Sequence, residues 1–116
     1  MLKLFINYKK GILFVKVKGR LVKDNIDLFN NEVIKIINNS GIRNIVYNLK
    51  ELESIDLSGI NSLINSYQLC KKNDGCILVC TNNDIKDKLK QNHLLNKLLE
   101  VSSESVATKI IDMRVR

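Results

Sequence analysis

The residues of this 116-residue chain best suited to chemistry are Asp56 and Ser58, which lie beside Gly59 where an apolar segment gives way to an amphipathic helix. A serine hydroxyl can accept a phosphoryl group. The first turn of a helix has unpaired backbone N–H groups and partial positive charge, and both stabilise an anion. We therefore interpret Ser58 as a candidate phosphoacceptor, whereas the simplest alternative for a serine beside a glycine at a helix start is an N-cap.

Two N-caps are compatible with the start of this helix. If Asp56 is the cap, Ile55 and Ile60 occupy the two positions of a hydrophobic staple. If Ser58 is the cap, its hydroxyl accepts from an N–H group two or three residues later. Both alternatives leave Ser58 at the surface of the first turn, and the missing side chain of Gly59 would leave the serine hydroxyl accessible.

Hydrophobic periodicity predicts the elements that position this junction. Residues 2–8 and 12–18 alternate around a turn at residues 9–11, which predicts an antiparallel hairpin. A helix follows, capped by Asp24 or Asn25 and stopped at Gly41. The apolar stripe of that helix is Ile26, Phe29, Val33, Ile36 and Ile37.

Strands and helices alternate in the rest of the chain. Strands are predicted at residues 44–49, 76–80 and 98–101; helices are predicted after the Asp56–Gly59 loop to about residue 73, from Asn82 or Asn83 with Ile85 and Leu89 inward, and from Ser102 or Ser103 with Val106, Ile110 and Met113 inward. Short connections favour parallel pairing through right-handed crossovers. We predict one domain over residues 1–116, an α/β sandwich with a mixed sheet of about four to five strands and about four helices.

Composition narrows the classes of function. The net charge is +7, but the lysines are spread along the chain, aromatic residues are few and tryptophan is absent, so we predict no direct contact with nucleic acid. No apolar run reaches the length of a membrane span, and the alternating start is too short for a signal peptide. We expect a cytoplasmic protein that does not bind membranes.

The thiols and the single histidine argue against a metal site and against catalysis. Cys76 and Cys80 bracket a strand and are too far apart to bridge, and neither they nor Cys70 has a histidine at metal-ligand spacing. We predict buried reduced cysteines and, because no glycine-rich phosphate loop occurs, no cofactor. A nucleophilic serine needs a base, and His93 lies in a lysine- and asparagine-rich helix end, so we predict that the chain is not an enzyme.

The motif Asp-Leu-Ser-Gly-Ile at residues 56–60, preceded by a strand at residues 44–49 and followed by a helix, resembles a known signature. It is similar to the Asp-Ser-Ser-Gly-Leu signature of the bacterial anti-sigma factor antagonists, which are single STAS domains. The likeness extends over the hairpin, the exit at Gly19, the first helix and the strand at residues 76–80. Within that family the chain is most similar to the sporulation type.

The resemblance implies a phosphorylation switch. Ser58 matches the serine that is phosphorylated by a partner acting as both anti-sigma factor and serine kinase. The unphosphorylated form would bind this partner and release the sigma factor; the phosphorylated form would dissociate until a metal-dependent serine phosphatase restores it. Asp56 would orient the loop, and Gly59 would let the partner approach. The implied partner-binding residues are Asp56, Leu57, Ser58, Gly59, Ile60, Arg20, Leu21 and Val22.

The chain departs from this family at three places. Leu57 stands where the family commonly has its first serine, which leaves Ser58 as the single candidate hydroxyl, and Asn61 replaces a small residue. After Gly19 the family usually has an acidic residue, leucine and aspartate, whereas residues 20–22 are Arg-Leu-Val. The lost carboxylates favour an alternative, in which the chain is a STAS-type interaction subunit of another signalling scaffold or of a lipid-transport complex.

Overall fold

A mixed sheet, six-stranded in the described part of the chain, forms the centre of the molecule. The computed structural model describes residues 1–114. The strands are β1 (Leu2–Lys9), β2 (Ile12–Leu21), β3 (Asn44–Asn48), β4 (Leu52–Ile55), β5 (Cys76–Cys80) and β6 (Leu99–Glu100). The helices are α1 (residues 26–40), α2 (Leu57–Lys72), α3 (Asn83–Gln91) and α4 (Glu104–Arg114), with 3₁₀ turns at Lys23–Asn25 and Leu94–Asn96.

The strand order is β1-β2-β3-β5-β6, and β4 pairs with the end of β2. Within the described part of the chain, β1 and β2 form the one antiparallel pair; β2–β3, β2–β4, β3–β5 and β5–β6 are all parallel. The sequence thus correctly predicts the hairpin, the crossovers and an α/β fold with a mixed sheet and four helices. The strand that the sequence does not predict is β4, because no element is assigned to residues 52–55.

The two faces of the sheet are covered unequally. The larger core lies between the sheet and helices α1, α2 and α3, and it contains Val15 and Val17 of β2. The smaller core lies under α4 alone, where Ala107 and Ile111 pack on Val46. Because α4 contacts β3 and β5, most of the β1–β2 hairpin remains uncovered on this second face.

Helix α1 is continuous but contains a π segment, Asn30–Ile34, between α-helical Ile26–Phe29 and Lys35–Ser40. Its Asn30 side chain accepts a hydrogen bond from the hydroxyl of buried Ser62 on α2, with 2.9 Å between the oxygens. The helix ends at Gly41, whose φ of 61° is left-handed, as the sequence predicts.

The inward face of α4 differs from the prediction. Val106 and Met113 are exposed and Ile110 is half-buried, whereas Ala107 and Ile111 are buried. Two apolar stripes run along this helix, one residue apart, and the stripe with the small alanine faces the sheet. A small side chain lets the helix axis approach the strands closely, which periodicity alone does not reveal.

The three cysteines are free thiols, as predicted. Cys70 and Cys80 are buried, and burial raises the pKa of Cys70 to about 12. Cys76 is only half-buried. Within residues 1–114, no group of cysteine, histidine and carboxylate side chains has the arrangement of a metal site.

Candidate functional site

The start of α2 is capped by Asp56. Its backbone is extended, and its Oδ1 accepts a hydrogen bond from the N–H of Gly59 over 3.2 Å. This decides between the two caps that the sequence leaves open. Ile55 and Ile60 lie on either side of the cap and are both buried, in the positions of a hydrophobic staple.

The second carboxylate oxygen of Asp56 reaches a different part of the chain. Its Oδ2 accepts a hydrogen bond from the backbone N–H of Lys23, 33 residues earlier, over 2.9 Å. The N–H groups of Lys23 and then of Gly59 stabilise the charged form and lower the pKa of Asp56. One side chain therefore joins the entrance of α1 to the first turn of α2.

The segment after β2 is held against this cap. Asn25 Oδ1 accepts from the N–H of Val22 over 3.0 Å, and Asn25 Nδ2 donates to the carbonyl of Arg20 over 2.9 Å. The carbonyl of Leu21 accepts from the N–H of Asp56 over 3.3 Å. Residues 20–22 and 56–60 thus meet in space. The sequence identified Asn25 only as a possible helix cap, so its role in closing this segment was missed.

Ser58 is the second residue of α2 and is half-exposed. Because Asp56 makes the cap bond, the cap does not use the Ser58 hydroxyl. Leu57 precedes it with 65% of its surface exposed, and Arg20 and Lys23 are also exposed. The accessible part of the junction therefore includes the Ser58 hydroxyl, the apolar Leu57, two basic residues and the half-exposed carboxylate of Asp56.

Three of the eight expected partner-binding residues lie beneath this surface. Leu21 and Ile60 are 0% and 3% exposed, and Gly59 is also buried. A Cβ on Gly59 would lie 2.5 Å from the carbonyl oxygen of Leu21 and 2.6 Å from Cγ1 of Ile55. This corrects the expectation that Gly59 opens the surface: the glycine lets α2 pack directly on the end of β2.

Comparison with known proteins identifies the fold. Residues 6–108 match the STAS domain family. The chain belongs to the STAS domain family. A curated relative of this STAS domain, the anti-sigma F factor antagonist of Paenibacillus polymyxa, is 25% identical over 105 residues, which are 90% of this chain and 90% of the relative.

Solved structures share this STAS fold. A candidate anti-sigma factor antagonist from Thermotoga maritima superposes with a TM-score of 0.87 at 18% identity, covering 94% of each chain. The anti-sigma factor antagonist SpoIIAA in its unphosphorylated form gives 0.75 at 13% identity, covering 97% of this chain and 98% of that one. SpoIIAA from Bacillus in the phosphorylated form gives 0.73 at 14% identity over 100% of both chains.

Two further observations on this STAS domain concern its single histidine and the apolar character of its helices. His93 is exposed and follows the end of α3, in a left-handed conformation with φ of 59°. It lies on a different element from Ser58. Within residues 1–114, no helix combines the length and apolar character needed to cross a membrane.

Asp56→Ala is expected to destabilise the STAS domain by about 1 kcal/mol, because the substitution removes the cap and the bond to Lys23 together. The pKa of Asp56 is lowered by folding, so the carboxylate stabilises the fold above its ordinary value of 3.8 and stops doing so as the pH falls through the folded value. Urea unfolding at pH 7 and at pH 3 measures both effects.

Asp56→Asn is the matched control, since asparagine caps well and does not titrate. Its stability should fall less than that of the wild type between pH 7 and pH 3. Equal losses in the two proteins would contradict a role for the Asp56 charge.

Proposed function

We propose that residues 1–116 form a single STAS domain that acts in the cytoplasm as an anti-sigma factor antagonist, and that it is not an enzyme. Unphosphorylated, it binds an anti-sigma factor that is also a serine kinase, and the sigma factor is released. Phosphorylation of Ser58 abolishes this binding. A metal-dependent serine phosphatase restores the unphosphorylated form.

The observation that carries the proposal is the geometry of Ser58. Its hydroxyl lies on the first turn of α2, half-exposed, while Asp56 occupies the cap. A kinase can therefore reach the hydroxyl without breaking the bond that starts the helix. The exposed Leu57 beside it offers an apolar contact to the same partner.

The comparisons support the same proposal. The Paenibacillus polymyxa relative is an anti-sigma F factor antagonist, and SpoIIAA has been solved in both phosphorylated and unphosphorylated forms. Carried to this chain by the position of the motif, the modified residue is Ser58. The two SpoIIAA forms superpose on this chain with TM-scores of 0.75 and 0.73, in keeping with a switch that leaves the fold intact.

Electrostatics explain why the modification would act on the interface rather than on the fold. A phosphate adds about −1.5 to −2 charges and three acceptor oxygens. At the second residue of α2 that charge meets the positive end of the helix, so the domain tolerates it. A partner that has to bury the same charge without pairing it loses several kcal/mol. Asp56, two residues away, adds a second negative charge.

The arrangement of the other polar groups supports binding rather than catalysis. A nucleophilic serine needs a positioned base, and the chain has a single histidine. His93 is exposed beyond α3, and Asp56 is engaged by two backbone N–H groups. Ser58 thus acts as a substrate of another enzyme.

The first test is phosphopeptide mapping after incubation with the cognate anti-sigma kinase and ATP. The label is expected on Ser58, and Ser58→Ala should abolish it. Ser54→Ala, which removes a half-exposed hydroxyl from the neighbouring strand β4, should leave labelling unchanged. A label on another residue would overturn the assignment of Ser58.

A second candidate function is a STAS-type interaction subunit of another signalling scaffold or of a lipid-transport complex. The observation that favours it is the charge of residues 20–22: exposed Arg20 and uncharged Val22 stand where the family usually has carboxylates, and exposed Lys23 follows them. The sequence of neighbouring reading frames discriminates the two: a kinase-type anti-sigma factor and a sigma factor support the first proposal.

A further inference from the structure

Strand β1 forms a long free edge of the sheet. Among the described residues 1–114 it pairs with β2 alone, over eight consecutive positions from Leu2 to Lys9 and without a bulge. Proteins usually protect such an edge with lysine, proline, a bulge or a short strand. The lysines of β1, Lys3 and Lys9, lie towards its two ends and leave residues 4–8 without a charge. The chain has no proline, and the opposite edge strand, β6, has only two residues. The edge of β1 is therefore open to another strand.

The hairpin turn fixes which backbone groups point outward. Lys10 and Gly11 both have positive φ, 52° and 80°, as a two-residue hairpin turn of type I′ requires. Lys9 and Ile12, which flank the turn, then exchange hydrogen bonds. Hydrogen-bonded and non-bonded positions alternate, so the odd-numbered residues of β1 bond to β2. The free N–H and C=O groups belong to Leu2, Leu4, Ile6 and Tyr8.

The side chains at this edge are incompletely covered on both faces. On the α1 face, half-buried Leu4 and Ile6 line a groove with Leu28, which is 47% exposed. On the opposite face Phe5 is 52% exposed, and Lys3 and Asn7 lie on either side of it along the strand. An added strand would bury apolar surface on both faces as well as pairing the backbone.

We propose that β1 pairs antiparallel with β1 of a second copy of this chain, about a two-fold axis at Phe5. Each Phe5 then lies opposite the partner's Phe5. Lys3 lies opposite the partner's Asn7, Leu4 opposite the partner's Ile6, and Leu2 opposite the partner's Tyr8. The outward-facing backbone groups of all four even-numbered residues bond across the axis, which extends the sheet through both copies.

Charge and length select this register. An axis at Ile6 would place Lys3 opposite the partner's Lys9, and like charges directly opposite each other destabilise a strand pair. An axis at Leu4 would leave Asn7 and Tyr8 outside the pairing. The axis at Phe5 pairs residues 2–8 without placing two like charges opposite each other. It also sets the two Phe5 rings opposite each other at a non-hydrogen-bonded position, where side chains are close.

The dimer leaves Ser58 accessible. Strand β1 lies on one side of β2, whereas β4, which leads into α2, pairs with the other side. The proposal is thus independent of the phosphorylation switch. A second copy can bind at β1 whether or not Ser58 is modified.

Cysteine cross-linking tests the axis directly. Phe5→Cys should form a disulfide-linked dimer with oxidised glutathione, because two residues facing each other at a non-hydrogen-bonded position have Cα atoms within the range of a disulfide. Lys3→Cys is the matched control and should not link, since it lies opposite the partner's Asn7. Wild type, treated alike, controls for the native thiols. Equal linking of both variants would overturn the register.

Sedimentation equilibrium tests the interface without a covalent bond. Wild type is expected to dimerise reversibly, and Phe5→Lys, which brings two lysines face to face, should weaken the dimer about tenfold or more. Leu99→Lys places the same charge at the exposed residue of the other edge strand and should leave dimerisation unchanged. Circular dichroism verifies that both variants fold. A wild type that stays monomeric at every concentration would overturn the proposal.

Discussion

Phosphorylation of Ser58 is expected to weaken binding to the anti-sigma partner by about two to three powers of ten. Burying an unpaired dianion where the partner otherwise contacts a small hydroxyl costs about 3 to 4 kcal/mol, which corresponds to this loss of affinity. Isothermal titration calorimetry with the phosphorylated and unphosphorylated proteins measures the difference. Ser58→Ala should bind as tightly as the unphosphorylated protein, and Ser58→Asp and Ser58→Glu should bind poorly.

The controls separate the position of the charge from the charge itself. Ser105→Glu adds a carboxylate to an exposed position of α4, on the other face of the sheet, and should leave the affinity unchanged. Thermal unfolding of the phosphorylated protein should resemble that of the wild type, because the charge lies at the positive end of α2. Equal affinity of Ser58→Ala and the phosphorylated protein would contradict the switch.

The elements that could be predicted from the sequence are those whose pattern repeats. The hairpin and α2 bury side chains at a regular spacing, so periodicity identifies them. Strand β5 is identified instead as a continuous apolar run that is buried on both faces. Strand β4 does not alternate: its buried residues, Leu52 and Ile55, are three apart. It pairs with β2 only from Gly19 to Leu21, across an irregularity in the register. Long-range pairing, rather than local pattern, makes these residues a strand.

In the candidate site, too, features set by local sequence could be predicted and most of those set by long-range pairing could not. The position of Ser58 and its place at a helix start follow from local sequence, and the structure agrees with both. The bond from Lys23 to Asp56 joins residues 33 positions apart and depends on β2 and β4 lying side by side, whereas the bonds of Asn25 stay within residues 20–25. Since the sequence does not predict β4, it does not predict the bond from Lys23 to Asp56 either. The close packing of Gly59 on Leu21 was missed for the same reason, whereas Ile60 is buried as a staple position requires.

Gly59→Ala is expected to destabilise the domain by about 1 to 3 kcal/mol, although alanine is the better helix former. The added Cβ would lie 2.5 Å from the carbonyl oxygen of Leu21, and a backbone atom cannot move aside as the end of a side chain can. The same carbonyl accepts the hydrogen bond of Asp56 N–H, so the helix start has to shift away from β2. Urea unfolding at pH 7 measures the loss.

The displacement of the start of α2 in Gly59→Ala should also move the exposed residues of its first turn. Ser58 and Leu57 belong to the turn that Gly59 anchors, so Gly59→Ala should weaken partner binding even at temperatures where the domain remains folded. Ser58→Ala is the matched control: it adds no atom, lies one residue away at a half-exposed position, and should leave stability and binding near those of the wild type. If Gly59→Ala were as stable to urea as Ser58→Ala, the close packing of α2 on β2 would not determine the position of the Ser58 hydroxyl. Weakened binding without loss of stability would instead mean that the partner itself contacts Gly59.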